Sequence, residues 1–378
     1  MSGTRVLHVV TLGGPNGEYG GPLRVARELC TEQIRRGGSA VLLFGILDTL
    51  APTNLGKFPE LAISVKPISN KYKVSSLISL RFVFHLIRQI KKADVVHVHF
   101  GRDIISLIAS ALSFLLHRPI LLQTHGMVIP DSRRITKIVD LLVVLPILHL
   151  ADVKLALSIE EKESLSKLGV RKNIFIQPNG ISIPEIELQA DWNEIPRVVF
   201  CSRLFSSKGI DIFLEIVERF YCEKKDVLFE IYGPDGGDLY KILNFVETKK
   251  LEGYLKYLGP IQPHLVQETL SKVDILVLPS SYDPYPMVVL EALSVGTSVV
   301  ISNRCGQAEI VKKFDARFVP SKLSAESFYS SIEAILAKKS YSIDRSKIIK
   351  FCHDNFGIEI LYESLSQIYR ELIIGTLK

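Results

Sequence analysis

The chain has 378 residues, of which 47% are hydrophobic and 23% charged, enough for two domains of ordinary size and too apolar for a disordered or low-complexity protein. The net charge of +6 is uneven: residues 1–187 carry 23 basic and 15 acidic side chains, residues 188–378 carry 23 and 25. A basic first half suits an anionic membrane surface or a phosphorylated partner, and equally a plain solvated surface; no nucleic-acid partner is expected. Five scattered cysteines, Cys30, Cys201, Cys222, Cys305 and Cys352, lack metal or redox spacing and read as cytosolic thiols.

Arg5–Thr11 reads as a strand close behind the N-terminus, with no signal peptide evident, so a cytoplasmic location is expected. Gly13–Pro22 is a glycine-rich loop, and a helix from about Pro22 to Arg36 follows it. Strand, glycine loop and helix form the layout of a phosphate-approaching turn, although Gly-x-Gly-x-x-Gly is absent. Ser39–Ile46 is a second strand. Tyr72–Lys92 has the spacing of a basic amphipathic helix, suited to packing on a sheet and to lying on a membrane. In Asp94–Phe100, alternation puts His97 and His99 on one face; His97 reads as structural and His99 as a ligand-side residue. No further ligand stands near them at metal spacing. Ile104–Leu116 and Ile138–Leu150 are apolar, but shorter than the ~20 residues a membrane-spanning helix needs, and read as core helices. Pro119–Thr124 is a strand ending in His125-Gly126, at the carboxyl end where open α/β sheets bind ligands. Arg133, Arg134 and Lys137 follow in a polar segment that can face an anionic acceptor. Asp152–Ser158 and Asn173–Gln177 are strands, Glu160–Leu168 is a helix, and Pro178-Asn179-Gly180 is a turn. Residues 182–195 lack periodicity and read as a linker.

Arg197–Cys201 opens a second sheet and leads into Ser202-Arg203-Leu204-Phe205-Ser206-Ser207-Lys208-Gly209. An Arg fork and a Lys point charge at a strand end are what a diphosphate needs. Val227–Tyr232 and Tyr254–Leu258 are further strands. The most informative stretch is Val273–Gly296. Asp274–Leu278 reads as a buried strand, Pro279–Ser281 ends it, and a helix begins near Pro286, with proline at its first position. The amides of Met287, Val288 and Val289 would then be free to meet an anion. Asp283 before the helix and Glu291 inside it are placed to accept hydrogen bonds from sugar hydroxyls. Gly306-Gln307-Ala308-Glu309 follows, with Glu309 read as structural, and Ile358–Ile374 is an apolar-striped final helix.

An acidic residue, seven residues, then Glu-Ala after a strand ending in Pro-Ser resembles the signature of the retaining nucleotide-sugar glycosyltransferases of family 4. Arg203-Leu204 with Lys208-Gly209 resembles that family's Gly-Arg-Leu-x-x-x-Lys-Gly. Two residues depart from the pattern: Asp283 stands where Glu is commoner, and Ser202 replaces a glycine. The resemblance implies an α/β protein of GT-B fold, two facing Rossmann-like domains with parallel sheets and a cleft between them. The first is expected over 1–185, with the helix of 358–378 packing back on it, and the nucleotide-sugar donor domain over 186–357. It implies catalytic roles for His125 and Asp283. Donor binding falls to Gly20, Gly21, Arg203, Lys208, Met287, Val288, Val289 and Glu291. No cofactor or metal is expected, and no Asp-x-Asp occurs in the chain.

The activity implied is transfer of a sugar from a UDP- or GDP-linked donor to an acceptor hydroxyl with retention, in bacterial cell-surface polysaccharide or glycolipid assembly. The acceptor would be a sugar or a lipid-linked molecule, with peripheral contact to the anionic inner face of a membrane. A GT-B nucleotide-sugar epimerase and a non-catalytic nucleotide-sugar-binding protein are the alternatives. A nicotinamide dehydrogenase is disfavoured by the missing glycine fingerprint.

Overall fold

A computed structural model describes residues 3–14, 20–47, 58–69, 74–185, 192–337 and 344–377. By contact the chain divides into two units, residues 1–180 with 358–378, and residues 181–357.

In the first unit β1 (Arg5–Leu12), α1 (Gly20–Arg35), β2 (Ser39–Ile46) and β3 (Glu60–Ser64) are followed by a small ribbon of β4 (Lys66–Pro67) and β5 (Leu77–Ile78). Then come α2 (Leu80–Ile90), β6 (Val95–His99), α3 (Ile104–Leu115), β7 (Ile120–Gln123) and α4 (Arg134–Val139). A π-helical segment, Asp140–Val144, joins α4 to α5 (Leu145–Leu150), and β8 (Val153–Ala156), α6 (Ile159–Lys167) and β9 (Ile174–Ile176) complete the run. The sheet order is β3-β2-β1-β6-β7-β8-β9, and every pairing is parallel. Its strands are buried on both faces, which is why they read as continuous apolar runs. Val10, Leu42 and Phe44 pack with Leu23 and Ala26 of α1 on one face. Leu7, Val96 and Val98 pack with Phe82 and Leu86 of α2 and Leu148 of α5 on the other.

The second unit holds β10 (Arg197–Cys201), α7 (Ile210–Cys222), β11 (Leu228–Tyr232), α8 (Leu239–Lys249), β12 (Leu255–Gly259) and α9 (Val266–Ser271). β13 (Ile275–Leu278), α10 (Met287–Ser294), β14 (Ser298–Ile301), α11 (Ala308–Phe314), α12 (Ala325–Leu336) and α13 (Arg345–Phe356) follow. Its sheet, β12-β11-β10-β13-β14, is also wholly parallel. In each sheet the strand order reverses once, between β1 and β6 and between β10 and β13. The loops leaving the carboxyl ends of strands at such a switch point diverge and leave a crevice for a ligand. The last helix, α14 (Ile358–Ile374), belongs to the first unit. Tyr362 Oη donates to Gln33 Oε1 at 3.0 Å, Gln177 Nε2 donates to the Leu361 carbonyl at 3.0 Å, and Tyr369 Oη lies 2.7 Å from His97 Nδ1.

Four expectations need correction. The helix expected over Tyr72–Lys92 covers only Leu80–Ile90. Leu77–Ile78 pairs antiparallel with Lys66–Pro67, Ser76 Oγ donates to the Ser69 carbonyl, and Ser79 is extended, so serine chemistry overrides the periodicity there; residues 70–73 lie outside the described residues. The first helix starts at Gly20, so Gly20 and Gly21 lie in its first turn rather than in the loop before it. Pro286 is the extended cap of α10, not its first residue. The stretch Ile138–Leu150 is only half core: Asp140, Val144 and Leu148 point inward, while Ile138, Leu141, Leu142 and Leu150 are exposed. The linker expected over 182–195 falls partly on residues 186–191, outside the described residues. Among the described residues no helix is long and apolar enough to cross a membrane.

Candidate active site

In the second unit, the loops after β10 and β13 are stitched together at the switch point. Ser206–Lys208 form one 3-10 turn, and Gly209 ends it with φ +80°. A Cβ on Gly209 would lie 1.9 Å from the Pro279 carbonyl oxygen, so only glycine lets the Lys208 turn rest on the end of β13. Ser281 N donates to the Ser207 carbonyl at 2.8 Å, joining the two loops again. Across these links Lys208 Nζ reaches Asp283 Oδ2 at 2.6 Å. Burial raises the Asp283 carboxyl above its usual range, while the Lys208 cation and the Tyr285 amide pull it back. The pair therefore presents a cation already oriented by an acid.

The loop from Asp283 is held from its far side. Asp283 and Cys305 form an isolated parallel bridge, and Gly306 N donates to the Asp283 carbonyl at 3.3 Å. Gln307, fully buried, donates from Nε2 to the Pro286 carbonyl at 3.1 Å and so fixes the cap of α10. Val289 N donates to that same carbonyl at 3.2 Å. This corrects the expectation of three anion-facing amides: Val289 is engaged, and Met287 and Val288 are the first-turn donors without an intrahelical acceptor. Glu291 is buried one turn into α10. Burial, with the Glu291 charge as second cause, pushes the Cys201 thiol at the end of β10 up to about 12, which places that carboxylate near the switch point. Arg203 is partly buried, and the loop at Gly236 lies over its stem: a Cβ there would be 3.0 Å from Arg203 Cγ. Glu309 is exposed on α11, so the anchor in that segment is Gln307.

In the first unit, His125 has φ +50° and Gly126 +69°, a turn that a non-glycine residue adopts only under constraint. The constraint is Glu161. Its buried carboxylate accepts from Thr124 Oγ1 at 2.5 Å, from the Gly126 amide, and from Leu157 N at 2.7 Å. Burial raises the Glu161 carboxyl and these bonds oppose the rise. Arg102 secures the next residues, donating to the carbonyls of Met127 and Ile129 and to Asp140 at the π segment.

The His125 ring ends a chain of histidines. Its Nε2 lies 2.7 Å from His99 Nδ1, and His99 Nε2 lies 3.3 Å from His8 Nδ1. His8 is level with His97 in the β1–β6 register, and His97 stacks on His99 with ring centroids 4.7 Å apart. Burial keeps all four neutral: His8 and His125 are lowered to about 3, His97 and His99 well below 6.5. Among the described residues His8 Nε2 has no hydrogen-bond partner. A bare acceptor there costs less than an unpaired N–H, so the favoured sense has every proton on Nδ1, pointing from His8 toward His125. His125 Nδ1 is then a donor at the far end of the chain.

His8, His97 and His99 bring ring nitrogens within 4.8 Å of one another, a metal-like grouping not visible in the sequence. The His97 and His99 planes are only 4° apart, so their in-plane lone pairs run side by side and do not converge on one ion. The grouping is a hydrogen-bonded His8–His99 pair with the His97 ring packed against both. Residues 15–19, in the loop before Gly20, lie outside the described residues.

Two wholly parallel sheets, each with charged or polar loops at its switch point, make this an α/β protein of two Rossmann-like units, the architecture of the GT-B class. Residues 19–184 match Glycosyltransferase Family 4 and residues 185–351 match Glycosyl transferases group 1, and the chain belongs to the family-4 glycosyltransferases. It is 26% identical over 148 residues to an uncharacterised glycosyltransferase of Methanocaldococcus jannaschii, covering 35% of this chain and 37% of that protein. It is 30% identical over 132 residues to granule-bound starch synthase 1 of Pisum sativum, covering 34% and 21%. The chain thus spans well under two thirds of these relatives' lengths. The fold is that of Anabaena HepE, solved in complex with UDP and glucose: TM-score 0.75, 15% identity, 97% of this chain and 100% of that one.

Proposed function

We propose that the protein is a retaining hexosyltransferase that moves a sugar from a UDP- or GDP-linked donor to an acceptor hydroxyl. The observation that carries this reading is the Lys208–Asp283 pair at 2.6 Å, set at the switch point beside Arg203, Glu291 and the start of α10. As the bond between the sugar and the diphosphate breaks, negative charge grows on the leaving group. Lys208, Arg203 and the amides of Met287 and Val288 stabilise it. Glu291 accepts from the ribose hydroxyls, and Asp283 accepts from hydroxyls of the transferred sugar while orienting Lys208. His125 donates from Nδ1 to the donor sugar, and Gly20 and Gly21, at the first turn of α1, approach the phosphates. Among the described residues a Cβ on Gly21 would meet nothing within 4 Å. These charges serve the leaving group without a metal. The acceptor is a sugar or a lipid-linked molecule, in polysaccharide or glycolipid assembly, and the protein works in the cytoplasm against the inner membrane face. The match of the starch synthase over part of its length and the UDP and glucose in HepE support the donor class.

The test is a thermal-shift panel of UDP, GDP, ADP and their sugar conjugates on wild type and Glu291→Ala. Ligand at ~100 times its dissociation constant adds ~2.7 kcal/mol. A shift with one nucleotide, lost in Glu291→Ala, is expected. A folded wild type that answers to none of them refutes the donor site.

A further inference from the structure

We infer that the segment α4–π–α5 of the first unit is a docking face for an anionic lipid bilayer. This deepens the transferase reading, on which its purpose rests, by naming the surface that would meet a lipid-linked acceptor. Its outer side carries Ile135, Ile138, Leu141 and Leu142, exposed by 61%, 58%, 68% and 68%. They recur every three or four residues on one side of the helix, while Asp140, Val144 and Leu148 recur every four on the buried side. Exposed large apolar side chains grouped along one side of a helix are the kind of feature that marks an interaction site.

The charges around it choose the occupant. Arg133, Arg134 and Lys137 are exposed at its N-terminal end, and Arg133 is bonded to Asp131. From residue 132 to residue 150 the sole acid is Asp140, which is buried and taken by Arg102. A second copy of the chain docking through this same face would bring like charges together with no counter-charge inside the stripe. An anionic bilayer supplies both an apolar phase for the four side chains and negative headgroups for Arg134 and Lys137. A neighbouring element has the same character. Helix α2 lies on the same face of the sheet and exposes Leu80 and Phe84 with Arg81, Arg88 and Lys91. Both helices return antiparallel to the strands, so Leu80 and Ile135 sit toward the carboxyl edge of the sheet, where the His125 turn lies. A lipid-borne acceptor held at this face would have its headgroup on the His125 side.

The experiment is co-sedimentation of the full chain with vesicles of phosphatidylcholine alone and of phosphatidylcholine mixed with phosphatidylglycerol. Wild type, Leu141→Asp/Leu142→Asp and Arg134→Glu/Lys137→Glu are compared at low and high salt. The expected result is binding to the mixed vesicles that weakens with salt and falls at least about tenfold in each variant. Nucleotide thermal shifts, run in parallel, should be equal in all three proteins and show that they are folded. No binding by wild type, or binding unchanged in the Leu variant, overturns the inference. So does a wild-type dimer lost in the Leu variant without vesicle binding, which would make the face a self-contact. Vesicle binding without any nucleotide shift in wild type would refute the donor site and leave the docking face standing.

Discussion

Replacing His8 by Leu should make the protein less sensitive to acid, and the size of the effect follows from burial. His8 is fully buried, and its pKa is lowered to about 3 by desolvation. The native state therefore carries it neutral through the whole range from pH 8 to pH 4, whereas the unfolded chain protonates it near its ordinary 6.5. Below 6.5 the unfolded state binds more protons, so stability is complete above that value and is lost as pH falls, until the folded pKa is reached. Between pH 7.5 and 5.5 the loss is on the order of 1 kcal/mol for one histidine. His97, His99 and His125 are shifted in the same direction, so they add to this loss as pH falls. Glu161 and Asp103, raised by burial, titrate in the opposite sense, so the total pH dependence mixes several groups. Urea unfolding of wild type and His8→Leu at pH 7.5 and 5.5, followed by a probe in the first unit, removes the common terms. At pH 7.5 the variant bears a constant cost from the bare His99 Nε2. Its stability relative to wild type should rise by on the order of 1 kcal/mol on going to pH 5.5. A difference that stays the same at both pH values would refute the neutral, buried histidine chain.

Three other outcomes follow from the geometry. Gly209→Ala places a methyl 1.9 Å from the Pro279 carbonyl at φ +80°, and should cost the second unit at least about 3 kcal/mol in urea and abolish nucleotide shifts. Glu161→Ala leaves the Gly126 and Leu157 amides and Thr124 Oγ1 without their acceptor; a loss of about 3 kcal/mol and a large fall in kcat are expected, and unchanged kcat would show that the His125 turn needs no such support. Lys208→Met should weaken nucleoside diphosphate binding at least about tenfold in calorimetry and nucleoside binding little, because the lost interaction is with phosphate.

The loops after β10 and β13 were legible in the sequence because their residues are local. Arg203 and Lys208 fall within one strand-end loop, and Asp283 and Glu291 within one strand–loop–helix, so the resemblance to family motifs could single them out; that Lys208 meets Asp283 is visible only in the fold. What remained hidden depends on partners far along the chain. His8 stands 91 residues from His99, and the two meet through the β1–β6 register. Glu161 reads as one of several acids on a polar helix, and its grip on Gly126 depends on β7 and β8 being neighbours. Gln307 carries no charge to draw attention, and its neighbour Glu309 does. The π segment at Asp140 escaped because one extra residue per turn changes the phase of an apolar run, turning half of an expected core helix outward.

The return of α14 has a consequence for synthesis. The sheet of the first unit is encoded by residue 176, yet the tyrosines that seal Gln33 and His97 are translated only after the entire second unit. During elongation the first unit emerges early but unfinished, with the surface destined for Tyr362 and Tyr369 open to water, while residues 181–357 can complete their own sheet unaided. Damage to α14 would therefore be felt at the beginning of the chain: a ribosome that stops before residue 358 releases a first unit whose Gln33 and His97 lack their tyrosine partners, and chaperones and proteases would treat it as unfolded.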